Sequence, residues 1–127
     1  MKQSYNVALI LAGGIGERMH AVVPKQFMEI DGEMVLLHTL KAFQKHPLIH
    51  EIYLVCMPEW EHFVRTEAKK GGIDKLSGVI PAGESSFVSA TNGIDYLGKT
   101  IKEPDAIVLV HDGVRPLITQ DIISRNI

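Results

Sequence analysis

The chain has 127 residues, of which 46% are hydrophobic and 22% charged, with a formal net charge of −2 and a single cysteine. That length builds one domain with a sizeable core and is short for two. The absence of any block of like charge argues against a grip on nucleic acid, Cys56 alone excludes an internal disulfide, and the first apolar run is too short to span a membrane.

Asn6–Leu11 (NVALIL) is a short continuous apolar run of the kind buried in a parallel sheet. It empties into a Gly-rich loop that ends near Pro24. Val35, Leu36, Leu40 and Phe43 then recur at helical spacing, and Pro47 stops that helix. Glu51–Met57 (EIYLVCM) predicts a second strand, in which Cys56 reads as a core residue rather than a nucleophile. Pro58 opens a second helix, which carries lysines in its last turn and ends at Gly71 and Gly72. A weaker strand covers about 77–80. A helix runs through Val88–Leu97 and closes at Gly98. The last strand spans about Asp105–His111, and Thr119 is the N-cap of a final helix.

Strands alternating with helices predict an α/β domain over residues 1–127 with a doubly wound, mostly parallel, Rossmann-like sheet. Ligands of such sheets bind beyond the carboxyl ends of the strands, where the loops after Leu11 and Val110 fall. The final helix stops at Ile127 without a C-cap or a closing strand, which reads as a partial chain.

Gly13, Gly14 and Gly16 crowd the first of these loops. Glycines let backbone amides converge on phosphate oxygens, although a plain tight turn uses the same residues. A dinucleotide fingerprint would need glycine where Met19 stands, and the P-loop Gly-Lys-Ser/Thr is absent. Arg18 and Lys25 add two cations to the rim, either as solvated surface charges or as phosphate partners. In the second loop, Asp112 could hold a divalent cation or orient a substrate hydroxyl. Gly113 permits close backbone approach, and Arg115 could pair with a phosphate or with Asp112 as a structural brace. His111 reads as packing, since no second ligand lies at metal spacing.

Taken together, LAGGIGERM, PKQF, a Gly-Glu-Ser segment before a helix and VHDGVRP resemble the cytidylyltransferases acting on polyol phosphates. This family includes the 2-C-methyl-D-erythritol 4-phosphate and ribitol-5-phosphate enzymes, and the resemblance runs from about Val7 to Ile127. It implies that Leu11, Ala12, Gly13, Gly14 and Gly16 surround CTP, while Arg18 and Lys25 stabilise the transition state at the α-phosphorus. By the same resemblance, Gly83 and Ser89 read the cytosine. Asp112 and Gly113 lie by the ribose and the metal, and Asp112 and Arg115 meet the incoming substrate. Mg²⁺ is the implied cofactor, with CTP and a small polyol phosphate as partners and neither nucleic acid nor membrane. A cytoplasmic homodimer is the implied parent.

Two departures from the family pattern stand out. Ser86 occupies a position where an arginine is usual. The C-terminal part, which in the family supplies a dimerising arm and further substrate contacts, is missing, so this stretch alone is expected to bind CTP weakly and turn over poorly. LAGG, PEW at Pro58–Trp60 and the ending PLITQDIISRNI look closer to the ribitol branch. The rival readings are a nucleotide-sugar pyrophosphorylase using another base, and a non-catalytic nucleotide-binding paralogue.

Overall fold

A computed structural model describes residues 4–12, 29–30, 32–113 and 118–127. The apolar run Asn6–Leu11 forms strand β1, with Val7, Ala8, Leu9 and Ile10 wholly buried. Two strands of two residues, β2 (Glu29–Ile30) and β3 (Glu33–Met34), pair antiparallel and lead into helix α1 (Val35–Gln44). Strand β4 (Glu51–Cys56) follows, then a single 3₁₀ turn at Pro58–Trp60 and helix α2 (Glu61–Lys70). Strand β5 (Leu76–Pro81), helix α3 (Ser86–Thr100), strand β6 (Ile107–Asp112) and helix α4 (Gln120–Arg125) complete the order.

The four longer strands form one parallel sheet in the order β5-β4-β1-β6. Parallel neighbours need a crossover long enough to return the chain, and each crossover between described neighbours carries a helix. Alternation along the strands then splits the core in two. Ala8, Ile10, Ile52, Leu54 and Cys56 face α1, α2 and α4, where Leu36, Leu40, Phe43, Val64, Ala68 and Ile123 cover them. Val7, Leu9, Tyr53, Val55 and Ile80 face the other way, onto Leu97 of α3. The doubly wound α/β expectation holds.

Boundaries moved where backbone pairing overrode residue type. β6 starts at Ile107 rather than Asp105, because Ala106 N–H turns back onto the Glu103 carbonyl. It continues through Asp112, because Asp112 still pairs with Leu11. α3 begins at Ser86, where the Ser85 hydroxyl caps the Val88 amide at 3.1 Å, and it runs through Gly98 to Thr100. Gly98 therefore does not close the helix; extended Ile101 does. Gly72, at φ 78°, does follow α2 as expected. Thr119 caps α4, accepting from the Ile122 amide at 3.2 Å. The β2–β3 hairpin, turning through Gly32 at φ 79°, was not foreseen, although Asp-Gly between short extended segments is its sequence signal.

Candidate active site

The carboxyl ends of β1, β4, β5 and β6 share one edge of the sheet, and main-chain pairing carries on one residue past three of them. Ala12 N–H donates to Val55 O at 2.7 Å, Ala82 N–H to Cys56 O at 2.9 Å and Gly113 N–H to Leu11 O at 2.8 Å. The first residues of the loops after β1, β5 and β6 are thus anchored by the main-chain pairing of the sheet.

Leu11 and Asp112 are direct neighbours across β1 and β6. Along β6 the side chains alternate: Ile107, Leu109 and His111 are half-buried, whereas Val108, Val110 and Asp112 are exposed. His111 tilts against Phe43 with ring centroids 5.3 Å apart, and Leu109 packs into the same core. Asp112 therefore emerges on the opposite face, the one carrying α3.

Gly113 is pressed into the junction behind Asp112. A Cβ there would lie 2.9 Å from Leu36 Cδ1, 3.1 Å from the Leu11 carbonyl oxygen and 3.4 Å from Ile10 Cγ2. Its carbonyl accepts from the Thr39 hydroxyl of α1 at 2.9 Å. Thr39 escaped the sequence reading, since its only mark is a hydroxyl among the apolar positions of a helix.

Gly83 and Ser89 meet at the other end of the edge. Gly83 N–H donates to Ser89 Oγ at 2.9 Å, and Ser89 is buried. Ser89 lies in the first turn of α3, and its own amide donates to Ser85 O. A side chain at Gly83 would meet Val88 Cγ1 at 2.3 Å, so the helix excludes one. Ile80, Val55, Leu11 and Asp112 stand in one row across the sheet, three strand spacings or about 14 Å from end to end. The structure therefore brings Leu11, Ala12, Asp112 and Gly113 together at one end and Gly83 with Ser89 at the other. Gly13, Gly14, Gly16, Arg18, Lys25 and Arg115 lie outside the described residues.

Cys56 ends β4 on this edge, and burial pushes its thiol up to about 11. A thiol held protonated to that pH is no nucleophile near neutrality. Among the described residues no three His, Cys, Asp or Glu side chains gather as a metal cluster. An exposed carboxylate such as Asp112 nonetheless suits Mg²⁺, which takes one or two carboxylates and fills its remaining positions with water and phosphate oxygens.

Comparison with known proteins identifies a family. The family described as IspD, 2-C-methyl-D-erythritol 4-phosphate cytidylyltransferase, matches residues 6–127. The chain is 42% identical over 123 residues to a ribitol-5-phosphate cytidylyltransferase of Vibrio parahaemolyticus, covering 96% of this chain and 51% of that protein. It is 43% identical over 122 residues to a 2-C-methyl-D-erythritol 4-phosphate cytidylyltransferase of Syntrophus aciditrophicus, covering 95% and 50%. The crystal structure of 4-diphosphocytidyl-2C-methyl-D-erythritol synthase from Anaerococcus prevotii superposes with a TM-score of 0.71 at 25% identity, over 97% of this chain and 49% of that one. The chain spans about half the length of the curated relatives it matches.

Proposed function

This chain belongs to the 2-C-methyl-D-erythritol 4-phosphate cytidylyltransferase family, and on that footing we propose that the protein transfers CMP from CTP to a small polyol phosphate and releases pyrophosphate. The observation that carries the reading is the family match over residues 6–127. The placement of Asp112 beside Leu11 on the ligand-binding edge of the sheet supports it.

In this reaction an oxygen of the polyol phosphate attacks the α-phosphorus of CTP in line. A new P–O bond forms while the bond to the β-phosphate oxygen breaks, and pyrophosphate leaves with that electron pair. No protein nucleophile is required, so the chain's task is positioning and charge neutralisation. The amides of Gly13, Gly14 and Gly16 receive phosphate oxygens, and Arg18 and Lys25 oppose the charge that builds on the equatorial oxygens. Leu11 and Ala12 wall the nucleotide, Gly83 and Ser89 take the cytosine end, and Asp112, Gly113 and Arg115 take the ribose and acceptor end. Mg²⁺, held by Asp112 and the phosphates, supplies further charge neutralisation when bound.

The acceptor is D-ribitol 5-phosphate or 2-C-methyl-D-erythritol 4-phosphate. Identities of 42% and 43% to the two kinds of relative do not separate them, while the PEW and LAGG segments favour the ribitol branch. A cytoplasmic homodimer remains the expected working form. Among the described residues, no helix is long and apolar enough to cross a membrane.

A pyrophosphate-release assay pairing CTP, UTP, GTP or ATP with each polyol phosphate tests the proposal. Turnover with CTP alone is expected, and Lys25→Ala should lower it about 100- to 1000-fold, the usual effect of losing one transition-state donor. Equal rates with UTP would point to a pyrophosphorylase of another base. Full activity in Lys25→Ala would refute the assigned chemistry.

A further inference from the structure

We infer that Thr39, in the middle of α1, is a positioning residue that holds the Asp112–Gly113 turn in register with the nucleotide-binding edge. The role of the turn rests on the cytidylyl-transfer reading; the tether itself does not. Thr39 is wholly buried, and a buried hydroxyl without a partner is costly, so its single proton must be placed. Two acceptors are within reach: the Val35 carbonyl one turn back at 3.4 Å, and the Gly113 carbonyl at 2.9 Å. The local bond to Val35 would satisfy the hydroxyl within the helix. The shorter contact instead spans 74 residues and ties α1 to the end of β6.

That contact completes a clamp. Gly113 N–H is held by the Leu11 carbonyl of β1, and Gly113 C=O is held by Thr39. The peptides on both sides of Gly113 are therefore fixed, one to the sheet and one to the helix layer. No space remains for a Cβ between Leu36 and the Leu11 carbonyl, so the turn cannot slide toward either. With Gly113 pinned, the Cα of Asp112 stays beside Leu11 and its carboxylate emerges on the α3 face. Removing the hydroxyl frees one of the two peptides and loosens the turn that follows the carboxylate. Positional errors of an ångström at a reacting centre lower turnover strongly. The expected penalty falls on the chemical step, because CTP is gripped mainly elsewhere.

The test compares Thr39→Val, which keeps the shape and loses the hydroxyl, with Thr39→Ser, which restores it. In the whole protein, Thr39→Val should lower kcat about tenfold while the KM for CTP moves less than about threefold. Thr39→Ser should recover most of the kcat. Amide hydrogen exchange supplies a readout independent of activity: in Thr39→Val the Gly113 amide should exchange at least about fivefold faster, with the Leu9 and Val55 amides unchanged. Unchanged Gly113 exchange in folded Thr39→Val overturns the tether, and so does a Thr39→Ser variant as impaired as Thr39→Val. Faster exchange with unaltered kcat overturns the positioning role. Absence of CTP-dependent turnover in the unsubstituted protein sinks the cytidylyl-transfer reading and the positioning role that depends on it, and leaves the exchange test of the tether standing.

Discussion

Alanine at Gly93 and at Gly98, five residues apart on α3, should shift stability in opposite directions, although each change adds one methyl group to the same helix. Gly98 is exposed, and a Cβ there meets nothing within 4 Å. Replacing it relieves the unfolded chain of glycine's extra freedom and should stabilise the fold by about 0.5–1 kcal/mol. Gly93 offers the same gain, but a Cβ there stands 2.8 and 3.0 Å from the two methyls of Leu9 and 3.2 Å from Val55 Cγ2. Both neighbours are wholly buried in the central strands β1 and β4, so neither methyl can swing aside. Overpacking of this kind costs about 1–3 kcal/mol, which outweighs the backbone gain and leaves a net loss of about 0.5–2 kcal/mol. Urea unfolding followed by circular dichroism, with the m-value checked for constancy, reads both changes on one scale. If both variants moved the midpoint the same way, the close contact of α3 with β1 and β4 would be wrong. A destabilising Gly98→Ala would mean that α3 ends at Gly98 after all.

Stability should also fall as the medium turns alkaline. The native fold holds the Cys56 thiol at about 11 against an ordinary 9.0, through burial, and the Tyr53 phenol at about 12 against 10.0, again chiefly through burial. Tyr5 is raised as well, first by its hydrogen bond to Glu51. Raised acids bind protons in the native state that the unfolded chain has already lost, so their contribution is full below about pH 9 and fades as pH climbs through 9 to 11. A urea midpoint that stayed level or rose over that interval would contradict the placement of these groups. Ser85→Ala removes the cap on Val88 and should cost about 1 kcal/mol, a drop of about 3–6 °C in Tm. Ser85→Asp should keep most of that stability, and a Tm insensitive to both changes would show that α3 does not depend on its cap.

Much of this architecture is legible in the sequence because the information is local. NVALIL and EIYLVC are apolar runs bounded by loops, and a strand buried on both faces requires nothing further. Gly71–Gly72 and Thr119 act through their own backbone or side chain and fell where expected. Gly98 misled because a glycine reads as a stop, whereas the packing of Leu97 and the backbone bond from Ile101 to Leu97 carry the helix past it. Asp112, Gly113, Gly83 and Ser89 were visible as types at strand and helix ends, but their partners were not. That Ser89 holds the Gly83 amide, and that Thr39 holds the Gly113 carbonyl, depends on how elements stack, which no spacing along the chain encodes.

The two glycines on this edge bear on how a ligand motif should be weighed. Gly83 is required because Val88 leaves no room for a side chain, and Gly113 because Leu36 and the Leu11 carbonyl leave none. Both would be needed if nothing ever bound here, so their presence cannot by itself distinguish a nucleotide site from a tightly packed turn. Asp112 differs. It is a carboxylate at the end of an apolar strand, and it emerges on the α3 face, which the neighbouring Val108 and Val110 also leave partly exposed. The residue on this edge that bears most on a ligand role is therefore this exposed acid. Gly113 beside it fixes where that acid stands.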